Sequence, residues 1–409
     1  MPSDDIVLLG GARTPFGTFL GTLREMTATQ LGALAAQEAM KRSGVEPAAQ
    51  EAMKRSGVEP GMIDHTIVGN VIQSAADGIY IGRHVALSAG VPIEKPGFCV
   101  NRMCASGFQA VVSGAKEILT GDAQFVLAVG TENMSLTPHL IRNSRTGIGL
   151  FQAPMEDGLY NALTDLRANI PMGITAENLA EKYDLHREGI DEFAALSQKR
   201  AHEAWEGGRL TEECFPVEVK QKRKSVMFER DEHIRPDSTA EALAKLRPVF
   251  KEGGVVTAGN ASGINDGAAA LVVASREAAE KRGLKPLGRL VSWGVSGCRP
   301  EIMGIGPAES SRIALRKAGL KLADMDLVEI NEAFAAQYLA VEKELGLDRA
   351  RTNVNGGAIA IGHPVGASGA RLTLTLLHEL RRRGGRYGLA GACIGGGMGL
   401  SIVVEALKN

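Results

Sequence analysis

The chain carries no excess of charge. Its 46 Lys+Arg stand against 47 Asp+Glu, leaving a formal net charge of −1, so no global field draws it to nucleic acid or to an acidic membrane surface. Cysteine is sparse and unpaired in pattern: Cys99, Cys104, Cys214, Cys298 and Cys393 are odd in number and form no CxxC. That argues against a disulfide framework and structural zinc, and for a reducing compartment. No stretch approaches the length of a membrane-spanning helix. The opening residues, MPSDDIVLLGGARTPFG, lack a basic n-region, an apolar h-region and an Arg-rich amphipathic pattern, so the expected location is the cytoplasm. Neither GxGxxG nor GxxxxGK[ST] occurs, which removes two common phosphate cradles.

What is present is a long α/β pattern. At 409 residues two to three domains are expected. Ile6–Leu9 reads as a buried strand, and a helix capped by Thr27 follows. Within that helix AAQEAMKRSGVEP begins, and it occurs twice without a mismatch, at Ala35–Pro47 and Ala48–Pro60. One helix cannot run through both copies. Gly44 and Pro47 stop the first, and 13 residues at about 100° each turn the apolar face by roughly 220°. The first copy is expected to dock, because it continues a helix already begun, and the other to be extruded. Strands are expected at Ile63–Val71 and Gln124–Gly130.

From about Met134 to Ile264 charge rises, helical segments fall at 176–183 and 187–207, and Pro154, Pro171, Pro216 and Pro236 punctuate long connections. This reads as an inserted domain. The flanking parts echo each other. Ala52–Val68 and Ala314–Ile330 share a helix, a cap glycine (Gly57, Gly319), a capping-type Asp (Asp64, Asp326) and a strand. The helical run after Cys104 echoes Ser368–Arg383. The expected fold is a duplicated α/β domain, two similar sheets packed through helices. Its parts are an N-terminal half at 1–133 plus 265–285, an inserted loop domain at 134–264 and a C-terminal half at 286–409.

Chemistry gathers at turns after strands. In VNRMCASGFQAVVSGA, Cys104 is placed at the first turn of a helix whose free N–H groups and dipole favour a thiolate. Asn331 ends the strand Leu327–Ile330, where α/β sheets put their sites. NGGAIAIGHPVGASG presents His363 just before a helix, and CIGGGMG links Cys393 to a closing strand. A Cys nucleophile needs a base, usually His. A second Cys of tuned pKa can move protons, and Gly-lined turns supply N–H donors to an oxyanion. The set suits acyl transfer through a thioester coupled to proton movement at carbon.

With ARTPF at its start, then NRMCASGF, GNASGINDGAA, MGIGP, NEAF, GHPVGASG and CIGGGMG, the chain resembles the thiolases, acyl-CoA:acetyl-CoA C-acyltransferases, over essentially its whole length. The resemblance implies two pseudo-symmetric halves of a five-layered α/β/α/β/α fold with an inserted loop domain, and dimers often paired into tetramers. It implies Cys104 as acyl acceptor, His363 as its base and Cys393 as the group exchanging a proton at the α-carbon. Asn331 would hold a water that forms one oxyanion hole with His363; the N–H groups of Cys104 and Gly395 would form the other. Ser262, Arg235, Ala258 and Met172 would contact coenzyme A. CoA and acetyl-CoA are then substrates, with no permanently bound cofactor and no metal. Ile170-Pro171-Met172-Gly173 replaces the His-Met-Gly of acetoacetyl-specific relatives, and AADGIYIGRH and SGCRPEIMGIGP are similar to the β-oxidation type. Longer 3-ketoacyl-CoAs are therefore expected, with an acetoacetyl-CoA-specific acetyltransferase as the alternative. A ketoacyl synthase would lack the second Cys, and a non-catalytic lipid carrier would have lost one of Cys104, His363 and Cys393.

Overall fold

The computed structural model describes residues 6–44, 57–151, 155–221 and 224–407. The elements that position the site are strands β1 (Ile6–Arg13), β2 (His65–Gly69), β3 (Gly97–Val100), β4 (Phe125–Asn133), β5 (Asn265–Ser275), β6 (Gly288–Gly297), β7 (Leu327–Ile330), β8 (Tyr387–Ile394) and β9 (Met398–Ala406). The helices are α1 (Ala28–Arg42), α2 (Ser106–Thr120), α3 (Met172–Lys182), α4 (Arg187–Glu206), α5 (Gly306–Ala318), α6 (Ala335–Leu345) and α7 (Ser368–Arg383).

The duplication is visible in strand order. β2-β4-β5-β1 and β7-β8-β9-β6 each run parallel, antiparallel, antiparallel. The two capping-type aspartates turn out to start strands. Asp64 accepts the N–H groups of Gln124 and Phe125 at β4 (2.9 and 3.1 Å), and Asp326 those of Arg386 and Tyr387 at β8 (2.7 and 3.0 Å). Each thereby ties a parallel neighbour into register. The two expected sheets are also hydrogen-bonded to each other: β1 pairs with β6 at Val7–Arg289 and Leu8–Gly288, so their strands form one continuous ten-stranded array.

Side-chain alternation builds the layers. Val7 and Leu9 of β1, Leu127 and Val129 of β4, and Val272 of β5 face α1. Their neighbours Ile6, Leu8, Val126, Ala128, Leu271 and Val273 face inwards. In the second half Ala390, Ile402 and Val404 share that inner core, whereas Leu389 and Val403 face the outer helices α5 and α6. Between the sheets lie α2 and α7, buried along Val111 and Ala115 on one and Leu372 and Leu376 on the other. The order is α1, sheet, α2 with α7, sheet, α5 with α6. Between β4 and β5, the described residues of 134–264 add no strand to the large sheet; they contribute α3, α4 and three two-stranded ribbons, one within 139–157, one within 164–171 and one within 217–228.

The two middle helices cross backbone to backbone at their N-terminal ends. A Cβ on Gly107 would lie 2.5 Å from the Ala370 nitrogen, and one on Gly369 2.3 Å from the Phe108 nitrogen. Only glycine permits that approach.

The repeated segment docks as a composite. Thr27 and Gln30 form a reciprocal capping box at the start of α1 (3.2 and 2.8 Å). The helix then carries the first copy's Ala35, Ala36, Ala39 and Met40 into the outer core. It ends before Gly44, whose φ of +87° suits only glycine. The second copy contributes its tail. Val58 is buried beside Met40, and its N–H donates to the Met40 carbonyl at 3.1 Å. The rest of that copy lies outside the described residues, as does its expected extrusion.

Met40 is 3% exposed, so Met40→Asp is expected to cost at least ~2 kcal/mol of unfolding free energy, as uncompensated buried charges do. Urea denaturation reads this; a change below about 0.5 kcal/mol, the range of ordinary surface substitutions, would show that the first copy is not the docked one.

Candidate active site

Cys104 stands in a tight turn between β3 and α2. The helix begins at Ser106 with Ala105 as its N-cap, so Cys104 precedes the first turn and is not within it as the pattern suggested. The turn is knotted by Ser106. Its hydroxyl accepts from the Arg102 N–H (2.9 Å) and donates to the Met103 carbonyl (2.7 Å), while Asn101 Oδ1 accepts the Met103 N–H (2.9 Å). Met103 is thereby held at φ +46°, a left-handed conformation unusual for a side chain of its size.

The expected thiolate is also corrected. Burial pushes the Cys104 thiol up to about 11, although the N–H groups of Gly395 and of Cys104 itself face the sulfur and pull the other way. The resting sulfur is a neutral thiol at neutral pH. The two amides expected to form one oxyanion hole thus meet at this atom.

His363 is 5% exposed. Its Nδ1 lies 2.6 Å from Ser368 Oγ, and that hydroxyl donates to the Pro364 carbonyl at 3.0 Å. With its proton committed, the Ser368 oxygen accepts, which puts the imidazole proton on Nδ1 and leaves Nε2 with a free lone pair. Nε2 faces the Asn331 Nδ2 amide at 3.4 Å. The residue is anchored from behind by its backbone N–H, which donates to Asn265 Oδ1 at 2.9 Å. Burial, reinforced by the charge of Arg371, lowers the imidazole to about 3, so it stays a neutral base across the physiological range. Asn331 is fully buried, its N–H on the Gly391 carbonyl at 2.9 Å and its Oδ1 without a partner.

Cys393 is the penultimate residue of β8, fully buried in a small apolar cluster with Met303 and Ala333, flanked by Met172 and Phe334. Burial, then the neighbouring Cys104 and Cys298 sulfurs, raises its thiol well above the usual range. A Cβ on Gly395 would sit 3.5 Å from the Met172 sulfur and 3.6 Å from the Met103 methyl, so the Gly395 turn lies between the two methionines. Cys104 packs in a second cluster with Ile72, Met134 and Val365, the last two residues beyond His363. The structure therefore brings Cys104, Gly395 and Cys393 together, pairs His363 with Asn331, and links the two groups through Val365 beside Cys104 and through the Asn331 N–H on β8.

The residues expected to contact CoA differ in burial. Met172 lies innermost. Ser262 donates its N–H to the Ala333 carbonyl at 3.0 Å, beside the Asn331 turn. Ala258 and Arg235 are exposed. Arg235 bears electrostatically on His233, which packs against Gly263 next to Ser262. Sequence reasoning missed Ser368, Asn265 and Cys298 as neighbours of the site, although all three stand inside motifs already singled out.

Comparison with known proteins shows the family. The profile described as "Thiolase, N-terminal domain" matches residues 46–277, and "Thiolase, C-terminal domain" matches 284–406. The chain belongs to the thiolase family. Among its relatives it is 49% identical to the human "3-ketoacyl-CoA thiolase, mitochondrial" over 402 residues, 98% of each chain. It is 46% identical to "Beta-ketothiolase BktB" of Cupriavidus necator over 404 residues, 98% of this chain and 99% of that one. The crystal structure of human mitochondrial 3-ketoacyl-CoA thiolase in complex with CoA superimposes with a TM-score of 0.92 at 48% identity, covering 99% of both chains.

Ser368→Ala removes the acceptor that holds the Nδ1 tautomer. Acyl loading of the protein by acetyl-CoA is expected to slow on the order of 10²-fold, the scale of a misplaced base, with the KM for CoA little changed. An unaltered loading rate would show that the tautomer is set elsewhere.

Proposed function

We propose that this thiolase cleaves 3-ketoacyl-CoA with CoA to give acetyl-CoA and a shortened acyl-CoA, through an acyl group on Cys104. The observation that carries the reading is the meeting of the Cys104 sulfur, the Gly395 N–H and the Cys393 thiol, with the neutral imidazole of His363 on the loop whose Val365 packs in the Cys104 cluster.

The steps follow from those environments. A thiol raised to about 11 cannot attack unaided, so its proton must leave as the carbon–sulfur bond forms. His363 Nε2 is the base that takes it. The thiolate adds to the C3 carbonyl, and the oxygen that becomes negative is met by N–H donors already facing this position. Breakage of the C2–C3 bond releases the acetyl-CoA enolate. Its C2 takes the proton of Cys393, which burial keeps as a neutral acid until it is needed. Asn331 and His363 steady the enolate oxygen, Asn331 through a bound water. The thiol of CoA then gives its proton to the Cys393 thiolate and attacks the acyl-Cys104 carbonyl, and His363 returns its proton to the departing Cys104 sulfur. Reversal of the same steps is a Claisen condensation. CoA enters and leaves as a substrate, along the approach from Arg235 and Ala258 past Ser262 to Met172.

Phe250 supports an apolar path for the acyl chain. It packs on Gly173 and meets Phe334 edge-on, ring centroids 6.3 Å apart. With Pro171 where a polar ring would narrow the site, we propose acceptance of chains longer than four carbons. Comparable kcat/KM for four- and eight-carbon substrates is the expected result, and activity on acetoacetyl-CoA alone would refute it.

A homodimer is supported by β3, an edge strand with Phe98 exposed and with Ile79, Tyr80 and Ile93 also exposed nearby in the chain. Exposed Leu140, Ile148, Leu150 and Phe151 support pairing of dimers into a tetramer. The five free thiols fit a reducing compartment, and we propose the cytoplasm.

Intact-protein mass spectrometry after acetyl-CoA alone should show one acetyl group, mapped to the Cys104 peptide. Cys393→Ala should still load, while cleavage and condensation fall ~10²–10⁴-fold. Label on Cys393, or equal loss of both half-reactions, would contradict this division of labour.

A further inference from the structure

One buried carboxylate next to the site takes no part in the steps above. Glu132, in β4, is fully buried, and its two oxygens accept four hydrogen bonds, all from neutral donors. Oε1 takes the Asn70 side-chain amide (3.0 Å) and the Ile72 N–H (3.1 Å); Oε2 takes the N–H groups of Val71 and Gly366 (both 3.0 Å). Three of these donors belong to the turn after β2, in the first half. The fourth belongs to the His363 loop of the second half.

Both attachments lead to reacting groups. Ile72 packs in the cluster that flanks Cys104, with Val71 against it. Gly366 lies three residues beyond His363, and Val365 beside it completes that same cluster. The fit is close throughout: a Cβ on Gly366 would lie 2.5 Å from the Thr131 carbonyl and 2.9 Å from Glu132 Oε2. Burial pushes the Glu132 carboxyl up to about 8, while the hydrogen bonds from Ile72, Val71, Gly366 and Asn70 pull the other way; with four donors on four lone-pair directions, a proton on either oxygen would displace one of them, and the geometry therefore favours the carboxylate.

We infer that Glu132 is a positioning residue: as a carboxylate it clamps the turn beside Cys104 to the His363 loop and so sets the spacing of nucleophile and base across the two halves. This rests on the reading of Cys104 as acyl acceptor. Cys104 and Cys99 are the titratable groups whose ionisation the Glu132 charge opposes, and no cation is among its hydrogen-bond partners.

Glu132→Gln keeps the shape but turns one amide N–H towards donors, so the clamp loosens. Acetylation of Cys104 by acetyl-CoA, followed by rapid-quench mass spectrometry, should slow on the order of 10²-fold, the effect of a misplacement near 1 Å. The KM for CoA should stay within about threefold, since no CoA contact changes. Alkylation of Cys104 by iodoacetamide, mapped by peptide, supplies the readout that a merely structural role would not move. Loss of the negative charge eases ionisation of the thiol, so its alkylation profile should move to lower pH even as acetylation slows. Asn70→Ala, which deletes one donor without adding a group, should slow acetylation about tenfold and decides the matter if Glu132→Gln does not fold. The clamp is overturned if either folded variant acetylates at the wild-type rate. It is equally overturned if slower acetylation comes with an unmoved alkylation profile and a lowered melting temperature. If wild-type protein takes no acetyl group on Cys104, the functional reading fails and the clamp with it; wild-type loading with unaffected variants removes the clamp alone.

Discussion

The site depends on how closely two backbones approach. α2 and α7 cross where Gly107 and Gly369 leave no room for a Cβ. Cys104 stands just before one helix, and His363 just before the turn that leads into the other. Helices packed through ordinary side chains keep their axes 8–10 Å apart, too far for the short turns at their ends to touch. Removing both Cβ atoms at the crossing lets each half deliver its reacting group to a common point. The five-layer order serves this contact, since a middle layer shared by two sheets fixes both helices from both sides.

The electrostatics of that point are those of a dry interior. The Cys104 and Cys393 thiols are pushed up and the His363 imidazole is pushed down, in each case chiefly by burial. All three are neutral at rest. These three groups carry charge only while a bond is changing, and the dipoles that meet it, the Gly395 and Cys104 N–H groups, are already aimed. Preorganised donors in a water-poor site need little rearrangement, whereas a standing thiolate–imidazolium pair would have to be stripped of water first.

Much of this was legible in the sequence where the signal is local. The Asp64 and Asp326 echo marked the repeat, and the strand Leu327–Ile330 ended where the pattern said, with Asn331 beyond it. The pattern failed at Cys104 because a cysteine preceding an apolar helical run looks the same inside the first turn or two residues before it; only Ser106, bonded back to Arg102 and Met103, decides between them. Thiolate character was misjudged for a related reason: helix N–H groups are read from spacing, but desolvation comes from everything packed around the sulfur. Glu132 lay beyond reach altogether. Its partners are 61 and 234 residues away, and nothing local distinguishes it from a strand-end glutamate.

The composite docking of the repeat bears on how such a chain tolerates copying errors. Gly44 and Gly57 are the same residue of two identical copies, so the described residues up to Gly44 and from Gly57 onward together present one uninterrupted copy to the core. The junction need not coincide with the boundary at which the sequence was duplicated; the fold selects it, at a helix end where a left-handed glycine has already broken the backbone's regularity. Ring-closure entropy grows only with the logarithm of the inserted length, so a duplication spanning a helix cap behaves as a surface insertion whichever residues the genetic event happened to repeat. Helix caps are in this sense the places where an old enzyme can lengthen without first being redesigned.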